Sequence, residues 1–259
     1  MANTLGRTCE GLGKVIVVVS GKGGTGKTSL SAGVSSALAL MGRRVLAVDA
    51  DAGLRNLDIV LGMDGEMLLS FADVILKRCT LSDAVKRHPT IANLSMVPAP
   101  AVEMPRGVDG AGVLRFVSEA AARFDFVLVD CPAGIGGHID MFASVCDLAI
   151  VVATPDNASL RGAQRTAQAL MESSVLYSAR LVVNRVRPKM IRKGYSLNID
   201  DAMDEAGLPL LGIVPEDEFV IASANAAKPL LTARTDGAAR AYTNIARRIC
   251  GERVPLLRI

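Results

Sequence analysis

The chain is poor in aromatic residues. Its 259 residues include no tryptophan, three tyrosines and six phenylalanines. Proteins that bind single-stranded nucleic acid stack the bases on aromatic side chains. The formal net charge is also low, at +3, which is too small for the field of the whole molecule to attract nucleic acid. Both absences argue against a nucleic-acid partner.

Cysteine and histidine are sparse and scattered. The five cysteines include no Cys-x-x-Cys pair, and the two histidines lie far apart; these residues are Cys9, Cys79, Cys131, Cys146, Cys250, His88 and His138. Such spacing argues against a disulfide framework and against a zinc site.

Long apolar runs are absent as well. No run reaches the roughly 18 residues that a membrane-spanning helix needs. Residues 1–14 are polar and lack the apolar core of a secretory signal. The sequence therefore predicts a cytoplasmic protein.

A phosphate-binding loop is present near the start of the chain. Residues 21–28 read Gly-Lys-Gly-Gly-Thr-Gly-Lys-Thr, between the β-branched run Val15–Val19 and the Ala-, Ser- and Leu-rich stretch 29–40. A strand, a glycine-rich loop and a helix in this order bind nucleotide phosphates through backbone N–H groups. Lys27 is placed to reach the terminal phosphates, and Thr28 to hold Mg²⁺. We expect ATP and no metal beyond magnesium.

Short apolar runs alternate with helix-like stretches along the chain. This alternation predicts an α/β fold with a mostly parallel, twisted sheet flanked by helices on both faces. The predicted strands are 15–20, 45–49, 94–97, 126–130, 148–153, 181–184 and 211–214. We expect one domain over 14–251, a disordered extension over 1–13 and a short basic and apolar tail over 252–259. The three prolines in 97–105 predict an irregular surface loop.

Polar residues follow several of the predicted strands. Asp49 and Asp51 end the second strand, Asp130 the fourth and Asn184 the sixth, while Pro-Glu-Asp at 215–217 follows the seventh. Ligands of parallel sheets bind at the carboxyl ends of the strands, so these residues are candidates for one site. Asp49 and Asp51 are predicted to face the metal and the attacking water, although the pair could instead have a capping role, with Asp51 starting the turn at residues 53–55.

Asp130 follows four apolar residues, and a buried carboxylate there needs a partner. Magnesium, held through a bound water, is the partner that we expect. The small residues 131–136 are predicted to form a loop that shifts with the γ-phosphate. No glutamate adjoins Asp130, so we expect slow hydrolysis in which Asp51 orients the water.

Lys22 is a second lysine inside the phosphate loop. It could turn away from its own nucleotide and reach the phosphates of a neighbouring subunit, which would couple ATP binding to dimer formation. A solvated loop lysine is the alternative.

Residues 20–28 resemble the deviant Walker A motif of the MinD/ParA family of ATPases, whose signature lysine corresponds to Lys22. The stretch 49–62 is similar to the MinD members in particular. Residues 130–135 resemble the family's switch II, and 181–188 and 212–217 resemble its adenine-side segments. The similarity runs from about residue 14 to 255.

The resemblance implies a P-loop fold of three layers and an ATP-sandwich homodimer. In it, Lys22 contacts phosphates across the dimer and Asp51 activates water, so Lys22 and Asp51 are the candidate catalytic residues. Thr28, Asp49 and Asp130 would support the metal. The implied ATP-binding residues are Gly21, Lys22, Gly23, Gly24, Thr25, Gly26, Lys27, Thr28, Ser29, Asn184, Pro215 and Asp217. From the residues alone, Asn184 could equally cap the next turn.

The resemblance also implies a role in placing the division septum, with a MinC-like effector or a MinE-like activator as partner. A ParA-like ATPase that positions DNA or cargo, and an ATP-binding recruitment module without useful hydrolysis, remain alternatives. Residues 234–259 carry six arginines against two acidic residues, which indicates a solvated basic face or a contact with DNA or an anionic membrane. With Leu256, Leu257 and Ile259, the tail predicts weak membrane contact, and hence a peripheral location at the inner face of the cell membrane.

Overall fold

A computed structural model describes residues 12–63, 65, 69–134, 138–172 and 178–257. In these ranges eight strands form one sheet in the order β3-β4-β2-β5-β1-β6-β7-β8. The strands are β1 (Lys14–Ser20), β2 (Val45–Asp49), β3 (Lys86–Arg87), β4 (Leu94–Val97), β5 (Phe126–Ala133), β6 (Leu148–Ala153), β7 (Ala179–Val186) and β8 (Leu210–Pro215).

Helices connect most of the strands. They are α1 (Lys27–Leu40), α2 (Leu57–Leu61), α3 (Phe71–Ile75), α4 (Leu81–Ala84), α5 (Gly110–Arg123), α6 (His138–Ala143), α7 (Asn157–Glu172), α8 (Pro188–Arg192), α9 (Ile199–Ala206), α10 (Glu218–Asn225), α11 (Leu230–Ala233) and α12 (Gly237–Ile249). None of the described helices is both long and apolar enough to cross a membrane.

The sheet is covered on both faces. In β1, Val15, Val17 and Val19 pack with α5 and α7, whereas Ile16 and Val18 pack on the opposite face with α1 and α12. Strands with two buried faces read as continuous apolar runs, which is why β1 shows no alternation of apolar and polar residues. Every neighbouring pair is parallel except β3 with β4. The predicted three-layer α/β fold is confirmed.

The predicted strands are all present, with small changes of length. Helix α1 starts at Lys27, two residues before the predicted start. The antiparallel strand β3 was not predicted, because a pair of exposed basic residues carries no apolar pattern.

The prediction of a loop directly after Asp130 is wrong for residues 131–133, which continue β5. Ala133 aligns with Ser20 of β1, and the Gly134 N–H donates to the Ser20 carbonyl at 2.9 Å. These bonds extend the strand beside the phosphate loop. Residues 135–136 of the predicted switch lie outside the described residues.

The segment 97–105 is irregular after Val97, as predicted, but its first half is buried. The Pro98 carbonyl accepts from the Phe71 N–H and the Pro100 carbonyl from the Gly53 N–H, both at 3.1 Å. Pro98 and Pro100 therefore hold α3 and the turn after β2, whereas residues 101–103 are exposed, as predicted.

Both ends of the described chain pack on the domain. Gly13 donates to the Ala121 carbonyl at 2.7 Å, while residues 1–11 of the predicted extension lie outside the described ranges. At the other end, Arg248 donates to the carbonyls of Val254 and Pro255. The start of the predicted tail thus lies against α12.

Candidate functional site

The loop between β1 and α1 is shaped by glycines. Gly24 and Gly26 have φ of +79° and +87°, a left-handed backbone that glycine adopts at little cost. Gly21 packs so closely on Gly162 of α7 that an added Cβ would overlap the Gly162 carbonyl. Because the loop opens onto the start of α1, its N–H groups and the helix dipole favour an anion there.

Lys27, the first residue of α1, is 6% exposed. Its Nζ lies 3.2 Å from Oδ1 of Asp130, at the end of the apolar part of β5. The Ser31 hydroxyl donates to the same oxygen at 2.8 Å. A buried ion pair needs such further hydrogen bonds to offset the desolvation of its charges. This cluster holds the Lys27 ammonium beside the phosphate loop.

Asp49 ends β2 and is the register neighbour of Asp130 in the parallel pair with β5. Its oxygens accept from the N–H groups of Asp51 (2.9 Å) and Leu57 (3.2 Å). Burial raises the pKa of Asp49 to about 7, and the charge of Asp130 adds to the rise. A cation bound nearby would offset this repulsion.

Asp51 is half-buried, and burial raises the pKa of its carboxyl, while the positive charge of Lys27 opposes the rise. The turn that follows is formed by the Asp51 carbonyl, which accepts from the N–H groups of Leu54 and Arg55 at 3.3 Å. The capping alternative holds for Asp49, whose carboxylate accepts from the N–H groups of Asp51 and Leu57. It does not hold for the Asp51 side chain, which makes no hydrogen bond within the described part of the chain. The carboxylate is therefore available to a ligand.

Lys22 lies apart from this buried cluster. Its side chain is 54% exposed, and its Nζ is 4.0 Å from Oδ1 of Asp156, which precedes α7. Such an exposed pair contributes little to stability. The two lysines of the loop therefore have different environments: Lys27 is buried and fixed, whereas Lys22 points to solvent.

A cleft borders the other side of the loop, where β7 and β8 end. Asn184 is buried, and its Nδ2 donates to the Thr25 carbonyl at 2.7 Å. The side chain thus supports the phosphate loop instead of capping the turn after β7. Other residues that line the cleft are Gly26, Ser29, Arg185, Pro215, Glu216, Asp217, Val220, Ile221 and Tyr242.

Asp217 lines this cleft, but both of its oxygens bind backbone groups. Oδ1 accepts from the Phe219 N–H at 3.0 Å and Oδ2 from the Ala238 N–H at 2.9 Å. The carboxylate thereby joins the start of α10 to the start of α12. Its contact with a ligand therefore stays a prediction.

The structure adds four residues that sequence reasoning did not select: Ser31, Gly162, Arg185 and Tyr242. Ser31 had a usable signal, because it lies one helical turn after Lys27 on the same face of α1. The other three are brought to the loop and the cleft by α7, β7 and α12, and no local pattern marks them.

Comparison with known proteins agrees with this geometry. The family described as the CobQ/CobB/MinD/ParA nucleotide binding domain matches residues 16–230. The septum site-determining protein MinD of Bacillus subtilis is 39% identical over 246 residues, which cover 95% of this chain and 92% of that protein. The chain belongs to the MinD/ParA family of P-loop ATPases.

Solved structures of MinD/ParA proteins share the fold. A MinC:MinD cell division protein complex from Aquifex aeolicus superposes with a TM-score of 0.87 at 33% identity, covering 95% of this chain and 98% of the other. MinD of Pyrococcus horikoshii, solved with Mg-ADP, gives 0.81 at 28% identity, with 92% and 96% covered.

The residues of the site fit Mg²⁺ held together with a nucleotide. In the described ranges no three His, Cys, Asp or Glu residues are placed to hold a metal by themselves. Magnesium in such sites keeps waters and phosphate oxygens and takes only one or two protein oxygens. Thr28, Asp49 and Asp130 lie at the loop and at the ends of the adjacent strands, and they supply oxygen donors of the type it prefers.

Proposed function

We propose that this chain is an ATP-dependent switch that dimerises on ATP and takes part in placing the division septum. The main support for this proposal is the difference in burial between the two lysines of the phosphate loop. A buried Lys27 paired with Asp130 suits a group that binds the nucleotide of its own subunit. An exposed Lys22 suits a cation that acts on another subunit.

Nucleotide binding involves the phosphate loop, the cleft at the ends of β7 and β8, and the carboxylates at the ends of β2 and β5. The N–H groups of residues 21–28 and the Lys27 ammonium bind the phosphates, and Ser29, Asn184, Pro215 and Asp217 border the base. Mg²⁺, when bound, neutralises charge on the phosphates. Thr28, Asp49 and Asp130 hold it.

Hydrolysis is slow, because the only free carboxylate that we identify near Lys27 in the described structure is that of Asp51. Positioning of a water by one half-buried carboxylate, without a glutamate beside Asp130, supplies modest base catalysis. A slow rate suits a switch, since the ATP state then lasts long enough to recruit a partner.

The names of the relatives indicate the cellular process, which is placement of the division septum, and the kind of protein that this chain binds. Curated relatives are named for septum site determination, and the Aquifex structure is a complex with MinC. We infer a MinC-like effector or a MinE-like activator for this chain. Leu256 is 47% exposed, and Arg253, three residues before it, is also exposed. The two support weak, peripheral contact with an anionic membrane at the inner face of the cell.

The DNA-associated alternative is less well supported. Arg234 and Arg247 pair with Asp236 and Glu252, each at 2.7 Å. Arg248 donates to the carbonyls of Leu211, Val254 and Pro255. These contacts engage three of the arginines of residues 234–259 within the chain and leave them fewer donors for a phosphate backbone.

The test compares Lys22→Ala with Lys189→Ala, which removes an exposed lysine of α8. We expect Lys22→Ala to keep Mg-ATP binding, measured by calorimetry, but to lose ATP-induced dimerisation in analytical ultracentrifugation. Wild-type turnover should rise with protein concentration, and that of Lys22→Ala should not. Lys189→Ala should match the wild type. ATP-induced dimers of Lys22→Ala with unchanged turnover would refute the trans role of Lys22.

A further inference from the structure

A cavity lined by arginines lies at the end of the sheet opposite to the phosphate loop. Arg44 immediately precedes β2, Asn93 precedes β4, and Arg123 ends α5 just before β5. These residues border a cavity of about 470 Å³ beside the edge strand β3. The phosphate loop follows the carboxyl end of β1, so in this parallel arrangement the two features lie at opposite ends of the strands.

The wall of the cavity carries hydrogen-bond donors and no carboxylate. Three of its residues are the arginines Arg44, Arg87 and Arg123, with Ser82, Asn93 and Ser95 beside them. A concavity with this lining selects an anion, because guanidinium groups bind phosphate and carboxylate oxygens through paired N–H donors.

Acidic residues outside the wall hold two of the arginines in place. Arg44 donates through Nε and Nη2 to Asp125, at 3.1 and 2.6 Å. Arg123 donates to Glu119 at 2.7 Å and to the Ser82 hydroxyl at 2.7 Å. Each guanidinium has five N–H donors, so both arginines keep donors for a ligand.

Arg87 differs from these two, since in the described structure it has neither an ion pair nor a side-chain hydrogen bond. It faces Ser95 across the antiparallel pair of β3 and β4. Residues directly opposite each other in such a pair project to the same side of the sheet. The free guanidinium and the Ser95 side chain therefore share one wall of the cavity.

Ser95 supplies a second, independent observation. It is only 8% exposed, yet its hydroxyl has no hydrogen-bond partner within the described ranges. The oxygen is not one of the fully enclosed polar atoms of the described structure, so it opens onto the cavity that Ser95 lines. The hydroxyl is therefore free to bond to an oxygen of a ligand bound there in place of water.

We propose that this cavity, bordered by Arg87 and Ser95, is a second anion site that binds a phosphate group carried by a small molecule or by a lipid headgroup. Its volume lies within the ~300–1,000 Å³ range of small-molecule sites. The side chains of Val85 and Phe124 in the wall suit an apolar portion of the ligand. The site goes beyond ATP binding, since it shares no residue with the phosphate loop.

The first experiment titrates glycerol 3-phosphate into the full chain by calorimetry, with Mg-ADP saturating the phosphate loop. The variants are Arg87→Gln and Ser95→Ala. The control is Arg192→Gln, which removes an exposed arginine of α8 for which the described residues provide no ion pair or side-chain hydrogen bond. We expect Arg87→Gln to weaken binding about tenfold or more, the size of one charge-assisted contact, and Ser95→Ala to weaken it less. Binding by Arg192→Gln and the ATPase rate of all three variants should be unchanged.

The second experiment measures co-sedimentation with phosphatidylglycerol vesicles, which separates the two sources of phosphate. Binding of glycerol 3-phosphate that depends on Arg87 assigns the site to small molecules. Vesicle binding that depends on Arg87, without binding of the free compound, assigns it to lipid headgroups. Two outcomes overturn the proposal: no Arg87-dependent binding in either experiment, or an equal loss in Arg192→Gln, which would show only nonspecific attraction to surface charge.

Discussion

Gly21 of the phosphate loop and Gly162 of α7 touch backbone to backbone. A Cβ on Gly21 would overlap the Gly162 carbonyl, whereas one on Gly162 would lie 3.2 Å from the Gly21 carbonyl carbon. Neither partner is a flexible side chain that could move aside. The position of the loop therefore depends on a helix more than a hundred residues away in the sequence.

This contact predicts that Gly21→Ala destabilises the protein and displaces the loop. Overpacking of this kind costs about 1–3 kcal/mol, so we expect a loss of that size in urea unfolding without nucleotide, together with weaker Mg-ADP binding. Gly23→Ala is the control, because nothing lies within 4 Å of its added Cβ and its φ is not positive. Equal stability of the two variants would contradict the contact.

Asp51→Asn should reduce the rate of ATP hydrolysis about 100-fold or more while leaving the affinity for Mg-ATP within a few-fold of the wild type. The physical reason is that an amide cannot accept a proton from the attacking water, and base catalysis contributes about 10²–10⁴ in rate. Single-turnover kinetics and calorimetry measure the two quantities. Asp200→Asn, on the exposed side of α9, is the matched control. A full hydrolysis rate in Asp51→Asn would assign the water to another group.

Asn184→Ala should weaken nucleotide binding through the loop. It removes the donor to the buried Thr25 carbonyl, and an unpaired buried carbonyl costs about 1–3 kcal/mol. The matched control is Asn198→Ala, which removes the cap of α9 and costs about 1 kcal/mol of stability. Both variants should unfold at lower urea concentration, but only Asn184→Ala should lose affinity for Mg-ADP. A loss of affinity in both would show that global stability, and not the loop contact, is responsible.

His88 predicts a pH dependence of stability. Nε2 is bonded to the Leu61 carbonyl at 2.7 Å, and Nδ1 accepts from the N–H groups of Thr90 and Ile91 at 3.1 and 3.0 Å. Burial lowers the pKa of His88 below its usual 6.5, against the opposing effect of the bond to Leu61. The folded protein thus binds this proton less well than the unfolded chain, so stability falls as the pH drops below 6.5.

Urea unfolding at about pH 8 and about pH 5.5 measures the effect, since those values lie on either side of the ordinary histidine pKa. The loss of stability on acidification should be smaller in His88→Gln, which cannot titrate, than in the wild type. Thr90→Ala keeps the histidine and should retain the full dependence. Identical slopes in all three proteins would exclude His88 as the cause.

Much of the fold could be predicted because its signals are local. Seven of the eight described strands follow from apolar runs, and the ends of several runs place polar residues at the same edge of the sheet. The exceptions have physical causes. Strand β3 has two exposed residues and no apolar pattern, and residues 131–133 join β5 only because Ser20 of β1 lies beside them.

The amino-acid sequence alone determined the phosphate loop and the family, because the glycines, Lys27 and Thr28 act through a backbone shape encoded within eight residues. Only the tertiary structure decided which side chains surround that loop. Asp130, Gly162 and Asn184 reach it from separate strands and a helix, and the packing of both sheet faces fixes such approaches. The same packing buries Lys27 and leaves Lys22 exposed. This difference in burial cannot be predicted from the sequence of the motif, which contains both lysines.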